Sequence, residues 1–160
     1  MNAHDILMYG NRTVLMTVKD VPEEEWETSG VCGIWSVKEI IAHLASFEHI
    51  LVDVFNTFHG AKPGPYLRSW GESGQRFNDA QVGMRQGLSW LEVLNEYEKI
   101  QAQTMEMIKQ FQPEQLQEVG AIPWYGSEYS LDDLIVYAFY GHKREHCSQI
   151  NVFKDKLAGQ

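Results

Sequence analysis

The strongest constraint on this chain is the run from Val37 to about Phe58, where apolar residues return at the spacing of an α-helix. Ile40, Ile41, Leu44, Phe47, Ile50, Leu51, Val54, Phe55 and Phe58 recur three and four apart, while Lys38, Glu48, His49 and Asp53 fall mostly outside the stripe. Its start is specified as well. In Ser36-Val37-Lys38-Glu39 the hydroxyl of Ser36 suits the Glu39 amide and the Glu39 carboxylate reaches back, with Trp35 placed to staple onto Ile40. The segment His59-Gly60-Ala61-Lys62-Pro63-Gly64-Pro65 ends the helix.

Three further stretches repeat the pattern. Leu7, Met8, Val14, Leu15 and Val18 define a first helix from about Ala3 to Val18, with Asn2 as N-cap. Pro22 and the acids after it predict a short helical turn. Ser89-Trp90-Leu91-Glu92 is a second capping box and opens a third helix through Val93, Tyr97, Ile100, Ile108 and Phe111, stopped by Pro113. Ser130-Leu131-Asp132-Asp133 caps a fourth helix running to about Leu157. The stretch from Gly60 to about Gly87 is rich in glycine and reads as a long crossover, with one short helix around Gln75 to Met84. The expectation is an all-α protein, a four-helix bundle with a long crossover between the second and third helices, built as a single domain over residues 1–160.

Charge and cysteine usage narrow the partners. The net charge is -9, from 22 acidic against 13 basic residues, so a nucleic-acid backbone would meet repulsion and no nucleic-acid partner is expected. Cys32 and Cys147 have no CxxC spacing, which fits a reducing compartment, and a cytoplasmic location is expected. No run approaches the roughly 18 apolar residues of a membrane span, and no membrane partner is expected.

The histidines carry the chemistry. At about 100° per residue, His142 and His146 fall near the middle of the stripe set by Leu131, Ile135, Ala138, Phe139, Ile150 and Phe153. On the second helix His43 shares the side of Ile40, Phe47, Ile50 and Val54, whereas His49 falls on the polar side and is expected to be solvated. His4 is set aside as lying at the far end of an antiparallel first helix, and His59 as exposed. Three inward imidazoles need partners, because each buried polar nitrogen without one costs about 1 to 3 kcal/mol. A divalent metal meets that need, and an i, i+4 pair is a natural two-ligand clamp. The expected metal ligands are therefore His43, His142 and His146, with Gln149 and Glu39 as supporting groups and Cys147 as a packed thiol.

Trp35-Ser36-Val37-Lys38-Glu39-Ile40-Ile41-Ala42-His43-Leu44, followed by His142-Lys143-Arg144-Glu145-His146-Cys147-Ser148-Gln149-Ile150, resembles the DinB-like superfamily, which includes YfiT-type hydrolases and bacterial thiol transferases. Pro123-Trp124-Tyr125-Gly126 and Phe77-Asn78 are similar to its ClbS-like branch. That branch often lacks the full histidine triad, so the triad here resembles the metal-binding members. The resemblance implies a bundle with one long crossover, a three-histidine site for zinc or nickel, and often a homodimer. It also implies transfer or isomerisation with a low-molecular-weight thiol cosubstrate, or hydrolysis, on a small-molecule substrate.

Three protein ligands leave a position open for water or a thiolate, as in catalytic sites. The leading expectation is a metal-dependent thiol S-transferase or hydrolase. The alternative is a non-catalytic small-molecule binding or sequestering module whose metal site is structural or vestigial. Trp70, Trp124 and Tyr125 are candidates either for a substrate pocket or for packing over the bundle end. Val52 and Trp90, on a second side of their helices, are candidates for a dimer face.

Overall fold

Each capping box opens a helix at the residue where it stands. The computed structural model describes residues 2–159, and these form an all-α fold in which no β-strand occurs among the described residues. Helix α1 spans Ala3–Val18, with Asn2 Oδ1 accepting from the Asp5 amide at 3.3 Å. A single 3₁₀ turn follows at Glu23–Glu25. Helix α2 spans Val37–Phe58. The Ser36 amide donates to Glu39 Oε2 at 2.8 Å and the Glu39 amide to Ser36 Oγ at 3.3 Å, so Glu39 is committed to the cap. No helix is long and apolar enough to cross a membrane among the described residues.

The crossover is more ordered than its glycine content suggests. It folds as two helices, α3 over Pro65–Ser73 and α4 over Gln75–Met84, of which only the second was expected. The cap that begins α3 is remote in sequence: Asp53 on α2 accepts from the Tyr66 and Leu67 amides at 2.9 and 3.0 Å. Gly64 is required there, because a Cβ at that position would stand 2.1 Å from Asp53 Oδ1. At the far end Arg85 forks onto Glu96, Nε to Oε2 at 2.9 Å and Nη2 to Oε1 at 2.6 Å. That bidentate pair fixes the end of α4 to helix α5, which spans Trp90–Ile108.

After the short α6 at Pro113–Gln117 and a loop, the chain enters α7 at Leu131–Leu134. The expected single fourth helix is interrupted. Ile135–Gly141 is π-helical, and α8 follows over His142–Ala158. A π turn holds an extra residue and re-phases whatever follows it. The buried stripe of α8 runs through Lys143, His146, Cys147 and Ile150, and Phe153, one turn further on, packs partly buried against the same core.

Helix α2 is the central element, packed against α5, α3 and α4, while α1 lies chiefly on α8, the π-helical segment and α5. The expected pairing of α1 along α2 is thus replaced by pairing with α8. The apolar core has two parts. One gathers Leu7, Leu51, Phe55, Phe77, Leu134 and Phe139; the other gathers Val14, Ile40, Leu44, Val93, Tyr97 and Cys147. The division falls between Ala45 and Ile50 on α2 and between Phe139 and Cys147 on the last helix. Buried polar side chains fill both intervals: Ser46 and Glu48 in the first, Lys143 and His146 in the second.

Val52 and Trp90 do not form a free face. Val52 is buried, and Trp90 stacks on Trp26 with ring centres 4.7 Å apart.

Candidate metal centre

His43 is delivered by the second turn of α2, and His142 and His146 by successive turns at the start of α8. Their Nε2 atoms converge. His142 Nε2 lies 2.8 Å from His43 Nε2 and 3.0 Å from His146 Nε2, and the three candidate ligand atoms all fall within 4.8 Å of one another. His43 and His146 are buried, while His142 is partly exposed and marks the side from which solvent reaches the cluster.

Hydrogen bonding among the rings does not account for this arrangement. His146 Nδ1 is 2.8 Å from Gln149 Oε1. A carbonyl oxygen accepts, so the ring proton sits on Nδ1 and Nε2 keeps a free lone pair. His142 Nε2 carries either one proton or one lone pair, and neither serves two contacts in full. His43 Nδ1 is buried with no partner.

A divalent cation removes the conflict among the Nε2 atoms, because three lone pairs can point at one charge, while His43 Nδ1 stays without a partner. Two nitrogens each 2.0 to 2.1 Å from a shared ion stand roughly 2.9 Å apart at a right angle and roughly 3.3 Å apart at the tetrahedral angle. The observed separations lie near the lower end of that range. The donor set and its spacing are therefore compatible with a divalent metal.

Electrostatics favour the ligand-competent form. Burial, reinforced by the neighbouring His142 and His146, pushes the His43 pKa down to about 2. Burial, with His146 and Lys143 adding to it, lowers that of His142 to about 3. His146 is also lowered, again by burial, with Gln149 opposing. All three rings are neutral at physiological pH, as metal coordination requires.

A family model described as the DinB superfamily matches residues 10–150, an interval that contains all three histidines. The chain belongs to the DinB superfamily. Neither the curated proteins nor the solved structures gave a match.

For this DinB superfamily member the remaining sequence-level site residues fall as follows. Gln149 does support His146. Cys147 is a packed thiol, its pKa raised by burial. His4 bonds the neighbouring Asp5, and His59 caps the end of α2 beside Phe111. His49 departs from expectation. It is only partly exposed, lies flat on Tyr66 with ring centres 4.3 Å apart, and bonds Glu96 at 2.9 Å. The reason is tertiary: the two crossover helices cover the polar side of α2 and bring Tyr66 and Arg85 with them.

Sequence reasoning missed the polar group beside the triad. Lys143, one residue from His142, is buried and pairs with the buried Glu48. Its Nζ also donates to Asn11 Oδ1 at 2.6 Å, and Tyr97 Oη donates to the same oxygen at 3.0 Å. Thr104 Oγ1 donates to Glu48 Oε2 at 2.8 Å. One signal was available: Glu48 and Lys143 each stand next to a histidine on a helix otherwise rich in core residues.

Around the triad the walls are aromatic. Trp35 and Phe47 lie 5.0 and 4.9 Å from the His43 ring, and Phe47 lies 4.4 Å from His142. Trp70 and Trp124, which the sequence left between pocket and packing, continue this row outward from Phe47. Tyr125 packs against the core and against Tyr129.

Proposed function

We propose that the chain is a metal-dependent enzyme, a thiol S-transferase or hydrolase acting on a small molecule, with zinc or nickel held by His43, His142 and His146. The observation that carries this reading is the convergence of three neutral Nε2 atoms on one point, with His142 unable to satisfy both neighbours by hydrogen bonding. When bound, a divalent ion supplies Lewis acidity, which favours the ionised form of a thiol or water nucleophile. The chain's own residues do the rest. Gln149 holds the proton of His146 on Nδ1 and so keeps Nε2 aimed inward. Trp35 and Phe47 exclude water from the His43 side, leaving approach past the partly exposed His142.

Metal content of the purified protein tests the reading directly. One divalent ion per chain is expected after loading with zinc or nickel, falling well below that in His43→Ala and His142→Ala. Turnover of electrophilic test substrates with a low-molecular-weight thiol, or hydrolysis of ester test substrates by water, is expected only in the loaded wild type. Absence of stoichiometric metal would overturn the proposal; metal retained with unchanged affinity in both variants would overturn the ligand set. Stoichiometric metal without turnover across such substrates would favour a sequestering module instead.

A further inference from the structure

We infer that the cleft between α3 and the loop carrying Trp124 binds the flat, uncharged aromatic part of the substrate whose reactive end meets the triad. This rests on the metal-site reading for the reactive end only. The cleft holds about 660 Å³ and is walled by Pro63, Leu67, Trp70 and Trp124, with Arg68 and Glu72 as its charged lining residues. That volume lies within the range of small-molecule sites. Its two charges are opposite and stand four apart on one helix, so the cleft as a whole carries no net preference for an ion.

Shape points to a planar guest. The Trp70 and Trp124 rings meet nearly at right angles, with an interplanar angle of 86° and centres 5.9 Å apart. They form a corner in which a flat molecule lies face-on to one indole and edge-on to the other, the two favourable arrangements for aromatic pairs. Trp124 remains 48% exposed, a large apolar surface that the fold itself does not cover.

The corner is also held in place. α3 is anchored by the Asp53 cap, and the Trp124 loop by the buried Ile122 and by a Tyr125 amide bond to the Ile122 carbonyl at 2.9 Å. Preformed walls reduce the ordering cost of binding.

Distance links the cleft to the triad. Trp70 stands 5.8 Å from Phe47, and Phe47 stands 4.4 Å from His142, so the Trp70 and His142 ring centres are at most about 10 Å apart. Phe47 stands between the two, so a two-ring aromatic with a short arm that passes beside the Phe47 ring spans that separation.

Three probes separate the two halves of the site by calorimetry on zinc-loaded protein: acetohydroxamate for the metal alone, 2-naphthol for the cleft alone, and a naphthyl hydroxamate with a short linker for both. The linked probe is expected to bind at least about tenfold more tightly than acetohydroxamate, a gain of about 1.4 kcal/mol. Trp124→Ala is expected to abolish that gain and 2-naphthol binding while leaving acetohydroxamate affinity unchanged. Trp70→Ala is expected to act in the same direction, and the exposed Trp124 keeps the test valid if that second variant folds poorly. Equal affinity of the two hydroxamates, or a gain that survives Trp124→Ala, would overturn the inference. Binding of 2-naphthol that depends on Trp124, with no acetohydroxamate binding at all, would overturn the metal-site reading and the link to the triad, while upholding the cleft.

Discussion

Replacing Lys143 by methionine removes a charge from the centre of the protein while nearly keeping the side chain's length. The side chains of Lys143 and Glu48 are 2% and 0% exposed, so neither has solvent to fall back on. Without the ammonium, the Glu48 carboxylate keeps only the Thr104 hydroxyl, and Asn11 Oδ1 keeps only Tyr97. Breaking a buried pair from one side costs about 3 to 5 kcal/mol, because the abandoned charge stays desolvated. For a protein of this size each kcal/mol lowers the melting temperature by roughly 2 to 4 °C, so a drop of roughly 6 to 20 °C is expected. Glu48→Met in the same background removes the stranded charge and recovers much of the loss, giving a strongly favourable coupling in the double-mutant cycle. Urea denaturation of wild type, both single variants and the double variant measures all the terms. If Lys143→Met lies within 1 kcal/mol of wild type, the pair is not a buried ionic contact and the reasoning fails.

Two further outcomes follow from the site. In metal-free protein the folded-state pKa values of His43 and His142 lie at about 2 and about 3, below the ordinary 6.5, so the unfolded chain binds more protons between those limits. Stability should therefore be level above about pH 7 and fall as pH drops toward 3, by about 1.4 kcal/mol per unit for each such proton; denaturation midpoints at pH 7.5, 6 and 5 check this, and a flat profile would contradict neutral buried rings. Gln149→Leu should weaken zinc or nickel affinity by about 10- to 100-fold, seen in competition with a chelator, because the His146 proton loses the acceptor that places it on Nδ1.

Much of the fold was legible because its signals are local. Ser36 with Glu39 and Ser89 with Glu92 sit three residues apart and mark helix starts through bonds they make themselves. The inward histidines were legible for the same reason: His43 shares a stripe with Ile40 and Phe47, and one helical turn links His142 to His146. The order within the crossover was not. Its first helix is capped by Asp53, twelve residues before Pro65, and requires Gly64 only because that carboxylate is already there. Nor was the burial of Glu48 and Lys143, since a charged residue reads as surface until its partner on another helix is known. The π-helical turn at Ile135–Gly141 also has no period of its own in the sequence.

The sequence by itself determined an all-α chain, the starts of its long helices, and which three histidines point inward, since each depends on residues within one or two turns of each other. Tertiary structure alone decided that the three Nε2 atoms share one point, that Lys143 finds Glu48, and that Trp70 and Trp124 form a corner within reach of His142. Those facts depend on the height and rotation at which separate helices meet, and side chains from several of them settle that jointly.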